Sequence, residues 1–297
     1  MIIMPPHIPV LLEDILEHFR ECKLKTFVDG TLGFGGHAKA LLEEHPEIDK
    51  YIGFDQDANT LELAKGNLEE YEGRVDFVHA NFSQIESYLE EEKIEKVDGF
   101  LFDLGVSSMQ LDEQERGFSF QKEGPLDMRM DDTQDLTAEK VVNQYSEKKL
   151  SEILFELGEE PASRKIAKAI VEARKKRRIR TTLQLVEVIE SVKKRRGRIH
   201  PATLVFQALR IYVNRELEVL KEALEIAIDR LDVCGRVGVI SFHSLEDRIV
   251  KNAFRDKAKE KIVTIVTKKP IIADREEIKK NRRSRSAKLR FCEKEEA

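Results

Sequence analysis

Cysteine is scarce in this chain, and apolar residues never run long. The three cysteines, Cys22, Cys234 and Cys292, are odd in number and far apart. That excludes a disulfide framework and metal-ligand spacing, so a reducing, cytoplasmic setting and no metal site are expected. No apolar stretch approaches the roughly 20 residues that span a bilayer, so no membrane partner is expected. The opening Met1-Ile-Ile-Met-Pro-Pro6 has neither the basic nor the apolar region of a signal peptide. Internal repeats and low-complexity linkers are also missing. What is present is 297 residues, 41% hydrophobic and 36% charged, enough for one large or two smaller soluble domains.

The richest stretch is Thr26-Phe-Val-Asp-Gly-Thr-Leu-Gly-Phe-Gly-Gly-His37, where a short apolar run ends in an acid and enters a loop with Gly30, Gly33, Gly35 and Gly36. Glycines in such number suit a backbone that adopts positive φ or approaches a ligand closely. Phe27 and Val28 suit a buried strand and Ala38 to Glu44 a helix, together the first unit of a nucleotide-type α/β site. Gly33, Gly35 and Ala38 satisfy the dinucleotide fingerprint, so the loop does not separate a dinucleotide from another adenosine-bearing cofactor. A second strand, Tyr51 to Phe54, ends at Asp55, roughly 20 residues on, where a carboxylate can hold ribose hydroxyls. A third, Val75 to Val78, leads to Asn81 and Phe82, placed to bound an adenine. A fourth, Val97 to Phe102, ends at Asp103. Polar groups thus recur at the carboxyl ends of successive strands, the ligand edge of an open parallel sheet.

The net charge of −5 hides two basic blocks. Between Arg164 and Arg198 stand fourteen Lys or Arg against three acids, and seven basic residues with no acid lie between Lys279 and Arg290. Two such blocks beside a cofactor site point to RNA or DNA. The strand-helix rhythm breaks after Phe102. Apolar spacing predicts helices over Leu136 to Tyr145, Lys148 to Leu157, Ala162 to Lys176 and Thr182 to Val192. Residues 110–201 therefore read as a helical insertion in an α/β domain formed by 1–109 and 202–297. The sheet resumes with one long helix over about Ala202 to Leu231, a fifth strand over Arg236 to Ser241, and a hairpin of Ile262 to Thr267 with Ala287 to Phe291.

The stretches Asp29-Gly-Thr-Leu-Gly-Phe-Gly-Gly-His37, Asp103-Leu-Gly-Val-Ser-Ser108, Glu115-Arg-Gly-Phe-Ser-Phe120, Gly124-Pro-Leu-Asp-Met-Arg-Met130 and Ser241-Phe-His-Ser-Leu-Glu-Asp-Arg248 closely resemble the bacterial MraW family. The resemblance runs from about His7 to Phe291. It implies S-adenosylmethionine-dependent methyl transfer to cytosine N4 in the decoding region of small-subunit (16S) ribosomal RNA. It also implies a class I (Rossmann-like) methyltransferase sheet with an inserted all-helical substrate-recognition domain. Carried onto this chain, the family's cofactor contacts fall on Gly35, Gly36 and His37, on Asp55 at the ribose, on Phe82 by the adenine, and on Asp103 and Gln110 near the methionine end. The implied partner is 16S rRNA within the small subunit, with the oligomeric state open and a homodimer one option. Two positions depart from the family's pattern: Met109 replaces proline, and Asn281-Arg-Arg-Ser-Arg-Ser286 replaces Asn-Pro-Arg-Ala-Arg-Ser.

Asp103 is the expected catalytic residue, accepting the cytosine amino proton together with the Leu104-Gly105 backbone. The segment lacks the stacking aromatic of Asp-Pro-Pro-Tyr amino-methyltransferases, which leaves Phe118, Phe120 or His243 to hold the base. Asp127 or Arg129 either touches the substrate or forms an interdomain ion pair. A nicotinamide-dependent oxidoreductase, a non-catalytic RNA-binding or assembly factor, and a protein or DNA amino-methyltransferase are the competing readings, because the fold does not choose the acceptor.

Overall fold

The chain divides into two compact units in the computed structural model, which describes residues 8–106, 113–195 and 200–296. One unit is Met1–Gly105 with Leu217–Ala297, the other Val106–Glu216. The elements run α1 (Leu12–Phe19), β1 (Thr26–Asp29), α2 (Gly36–Glu44), β2 (Lys50–Asp55), α3 (Ala58–Asn67), β3 (Val75–His79), α4 (Ile85–Glu91) and β4 (Val97–Asp103). The second unit follows with α5 (Ala138–Gln144), α6 (Glu147–Glu156), α7 (Ser163–Lys176), α8 (Thr182–Val192) and α9 (Thr203–Asn214). The chain then returns through α10 (Glu216–Arg230), β5 (Leu231–Ser241), α11 (Ser244–Lys259), β6 (Val263–Ile265), α12 (Arg275–Lys280) and β7 (Lys288–Lys294).

Seven strands form one sheet in the order β3-β2-β1-β4-β5-β7-β6. The first five are parallel, and β7 runs antiparallel to both β5 and β6. This is the class I (Rossmann-like) sheet. Its strands are apolar on both faces because helices cover both. Phe27 and Tyr51 point into one layer with Phe19, Leu41 and Phe291, while their neighbours Val28 and Ile52 point into the other with Phe100, Phe102, Leu220 and Leu224. Strand order reverses between β1 and β4, and the carboxyl ends at such a reversal leave a crevice for a ligand.

The second unit has its own core, built from Leu126, Met128, Val141, Leu150, Ile166, Leu185, Phe206 and their neighbours. Three of its helices begin at a side-chain cap. Thr137 accepts from Lys140 N, Ser146 from Lys149 N, and Thr181 with Gln184 forms a capping box. Gly117 and Gly124 explain two of the quoted motifs, since added Cβ atoms would meet Pro125 O at 2.1 Å and Gln114 O at 1.9 Å. The two segments cross backbone to backbone, which only glycine permits.

Two sequence expectations are corrected. The single helix over Ala202 to Leu231 is two, because Arg215 adopts a left-handed conformation (φ 51°, ψ 32°). The domain boundary expected at 201/202 falls instead at 216/217, since Phe206, Leu209 and Val213 of α9 belong to the helical core.

Candidate active site

The ligand edge of the sheet begins where β1 runs out. Gly33 and Gly35 take positive φ (55° and 77°), and Gly35 is the N-cap of α2, where a Cβ would lie 2.8 Å from the Leu68 side chain. The loop is held from the neighbouring strand: Asp55, ending β2, accepts from Gly33 N (3.1 Å) through one oxygen and from Asp57 N (2.9 Å) through the other. Each oxygen keeps a further lone pair for a hydroxyl. Desolvation pushes the Asp55 carboxyl up to about 6, against the lowering effect of those amides.

Across the reversal, Asp103 ends β4. Its backbone N–H donates to Thr31 Oγ1 (2.6 Å). Thr31 N in turn donates to Asp29 Oδ1 (2.9 Å), and Tyr51 Oη donates to Asp29 Oδ2 (2.9 Å). Tyr51, Asp29 and Thr31 thus form a relay, buried at Tyr51 and Asp29 and half-buried at Thr31, that fixes the Asp103 backbone after β1 has ended. Sequence reading did not single out Thr31 or Tyr51. The only signal is the threonine two residues beyond the strand-ending acid.

His37, in the first turn of α2, brings Nε2 to 3.7 Å from Asp103 Oδ2, longer than a hydrogen bond. Among the described residues, both His37 ring nitrogens and Asp103 Oδ1 are buried without a hydrogen-bond partner. Buried polar atoms are almost always satisfied, so three orphans converging at one strand end suit a polar ligand with both donors and acceptors. Phe82 lies beyond β3, half-buried and edge-on to Phe102 at 5.6 Å, just after Asn81, which caps the turn through Ser83 N. Glycine loop, His37, Asp55, Phe82 and Asp103 therefore share one edge of one unit; Gln110 and Met109 lie outside the described residues.

The other candidates are differently employed. Phe118 is buried in the helical core, and Phe120 stacks on His200 (4.8 Å) and meets Phe206 edge-on. His243 caps α11, accepting from Glu246 N through Nδ1 (3.4 Å). Asp127 and Arg129 pair with each other inside the helical unit, through Nε to Oδ1 (2.7 Å) and Nη2 to Oδ2 (2.8 Å). Arg129 Nη1 also donates to Asp132 O and Gln134 O. This fork fastens a loop, and it is not an interdomain pair. Among the described residues, no helix is long and apolar enough to cross a membrane.

Burial of Asp29 carries a pH signature. Desolvation raises its carboxyl to about 6 from an ordinary 3.8, although Thr31, His37 and Tyr51 pull it down. Below about 4 the group is protonated folded or unfolded; between about 4 and 6 the fold retains a proton that the unfolded chain releases. Its contribution to stability therefore falls as pH rises through that window and stays low above it. Asp29→Asn should gain stability relative to the parent between pH 4.5 and 7, read from urea midpoints; an offset independent of pH would contradict this account. The Asp29 charge also helps raise the Asp55 carboxyl, so its removal shifts the balance in the same direction.

The family comparison agrees with this geometry. Residues 4–295 match the model of the MraW methylase family. A protein of Persephonella marina called ribosomal RNA small subunit methyltransferase H is 50% identical, covering 98% of this chain and all of the relative. Proteins of the same name from Clostridium botulinum and Caldicellulosiruptor bescii are each 48% identical over 97% of this chain and 98% and 99% of theirs. With a reversal-point crevice, a glycine loop and a strand-end acid in place, the chain belongs to the MraW methylase family of S-adenosylmethionine-dependent methyltransferases.

Proposed function

We propose that this protein transfers a methyl group from S-adenosylmethionine to the exocyclic N4 of a cytidine in the decoding region of 16S rRNA, in the cytoplasm. The observation carrying the reading is Asp103, a strand-end carboxylate with a buried oxygen that, like both ring nitrogens of the adjacent His37, has no hydrogen-bond partner among the described residues, in a family whose relatives are named for small-subunit rRNA. Asp55 suits the ribose hydroxyls, Phe82 the adenine, and Gly35, Gly36 and His37 the rest of the cofactor, with Asp103 and Gln110 toward its methionine end. The cofactor supplies an electrophilic methyl on a sulfonium.

The chain's own task is to align and activate the nucleophile. The N4 lone pair of cytosine is delocalised into the ring. Asp103 and the Leu104-Gly105 carbonyls accept the N4–H, restoring pyramidal character and offsetting the positive charge that develops on nitrogen. The base must leave its stack to reach this edge. The deciding experiment is transfer of labelled methyl to naked 16S RNA, small subunits and DNA, with nucleoside analysis of the product. N4-methylcytidine from the subunits is expected; label on another atom or only on DNA would overturn the assignment.

The helical unit supplies the larger basic surface, but not all of that block is available. Arg174 donates to Val142 O and Tyr145 O, Arg178 pairs with Glu139, and Lys193 with the buried Glu160. Lys175, Lys176 and Arg177 are exposed, with no ion pair among the described residues. Reversing these three charges should lower the slope of log affinity for small subunits against log salt by roughly 2. An unchanged slope would make them a solvated face.

A further inference from the structure

Beside the Asp103 edge, within the same unit, lies a cleft of ≈ 340 Å³ that the methyl-transfer site leaves unused. β5 continues into Phe242-His243-Ser244, and β7 is preceded by Arg285-Ser286-Ala287; Ser241 pairs with Lys288, so the two segments diverge from a shared rung and form facing walls. Ile272, Ala273, Ile278 and Lys288 complete the lining. The cleft adjoins the reacting strand end: Asp103 is in register with Ile240, and a Cβ on Gly105 would sit 3.7 Å from Phe242.

Its chemistry is mixed in a particular way. Ile272 is 66% exposed and presents an apolar wall at the cleft. The cations are unequal. Lys288 and Arg290 both bind Asp247, at 3.0 and 2.7 Å. Arg285 is exposed and has no ion pair among the described residues. The first turn of α11 offers no anion site of its own, since Glu246 already accepts from Phe242 N and His243 N and its own amide is capped by His243. An uncompensated guanidinium over an apolar wall matches a nucleotide, whose base presents apolar faces and whose phosphate takes a planar fork.

We infer that this cleft is the subsite for a nucleotide flanking the target in unpaired RNA, with Arg285 on a phosphate and Ile272 against the base. The inference rests on the reading of the protein as an RNA methyltransferase, and it concerns a neighbour of the reacting nucleotide. Holding that neighbour would keep the target unstacked at Asp103.

The test compares Arg285→Ala, Ile272→Glu and Arg282→Ala in the full chain. Arg282 is an exposed arginine three residues away that does not line the cleft. Arg285→Ala should raise KM for small subunits about tenfold, leaving kcat and S-adenosylmethionine affinity unchanged; Ile272→Glu should do the same, and Arg282→Ala should change KM less than about twofold. Equal effects at 285 and 282 would mean diffuse charge and overturn the subsite, as would no effect at 285. Anisotropy of a labelled single-stranded RNA oligonucleotide, measured on the same proteins, judges the cleft independently of methyl transfer. If the parent methylates no RNA, the functional reading fails; if Arg285→Ala then binds the oligonucleotide like the parent, the cleft fails too.

Discussion

Asp103→Asn is expected to lower single-turnover methyl transfer by about 10²–10⁴-fold, the range for a lost acid-base group, while S-adenosylmethionine affinity changes far less. The amide keeps the size of the side chain, but one of its two polar atoms becomes a donor aimed at the cytosine amino group. The relay behind it provides the control. Thr31→Val removes the acceptor of the Asp103 amide at 2.6 Å and leaves that half-buried N–H without it. It should lower kcat with little change in KM, and Thr31→Ser should restore most of the rate. Near-parental turnover by Asp103→Asn would remove the proposed acceptor. Failure of Thr31→Ser to rescue would reduce the relay to packing.

Phe27→Ala is expected to cost about 3–5 kcal/mol of stability, on the order of 10 °C in melting temperature. Phe27 is fully buried, edge-on to Phe19 at 5.1 Å and stacked on Tyr51 at 5.2 Å. Its ring occupies the space that Gly99 leaves open, where a Cβ would lie 2.6 Å away, so the surroundings cannot collapse easily into the cavity. The loss reaches the site. Tyr51 positions Asp29, and Phe27 stands two residues before it, so cofactor affinity should fall with stability. A calorimetric shift equivalent to less than about 1 kcal/mol would show that β1 is not packed in this way.

The sheet edge was legible because its signals are local. β1, β2 and β4 are short, mainly apolar strands of four to seven residues, and Asp29, Asp55 and Asp103 are their last residues. The glycine loop announced itself through the same backbone demand that the positive φ values of Gly33 and Gly35 display. The helix break at Arg215 was not legible, because nothing local causes it. Asn214, the last residue of α9, accepts from Met130 N and donates to Met128 O, both at 2.8 Å, and Arg210 reaches across the break in a bidentate pair with Glu216. Partners more than 80 residues away end that helix. The role of Asp127 and Arg129 was hidden likewise. A motif shows which residues recur together, and it does not show that two of them satisfy each other.

The strand order sets the timetable of assembly. β5 pairs with β4, from which the whole helical unit separates it in sequence, and with β7, which the chain reaches only after β6. Until both arrive, the apolar Val237, Val239 and Ile240 belong to a strand with two open edges, the species most prone to pair with another chain. The helical unit faces no such delay, since its contacts lie within one continuous segment and local contacts form fast. One molecule thus holds a core that closes early and a sheet that closes late, and its exposure to aggregation is concentrated in β5.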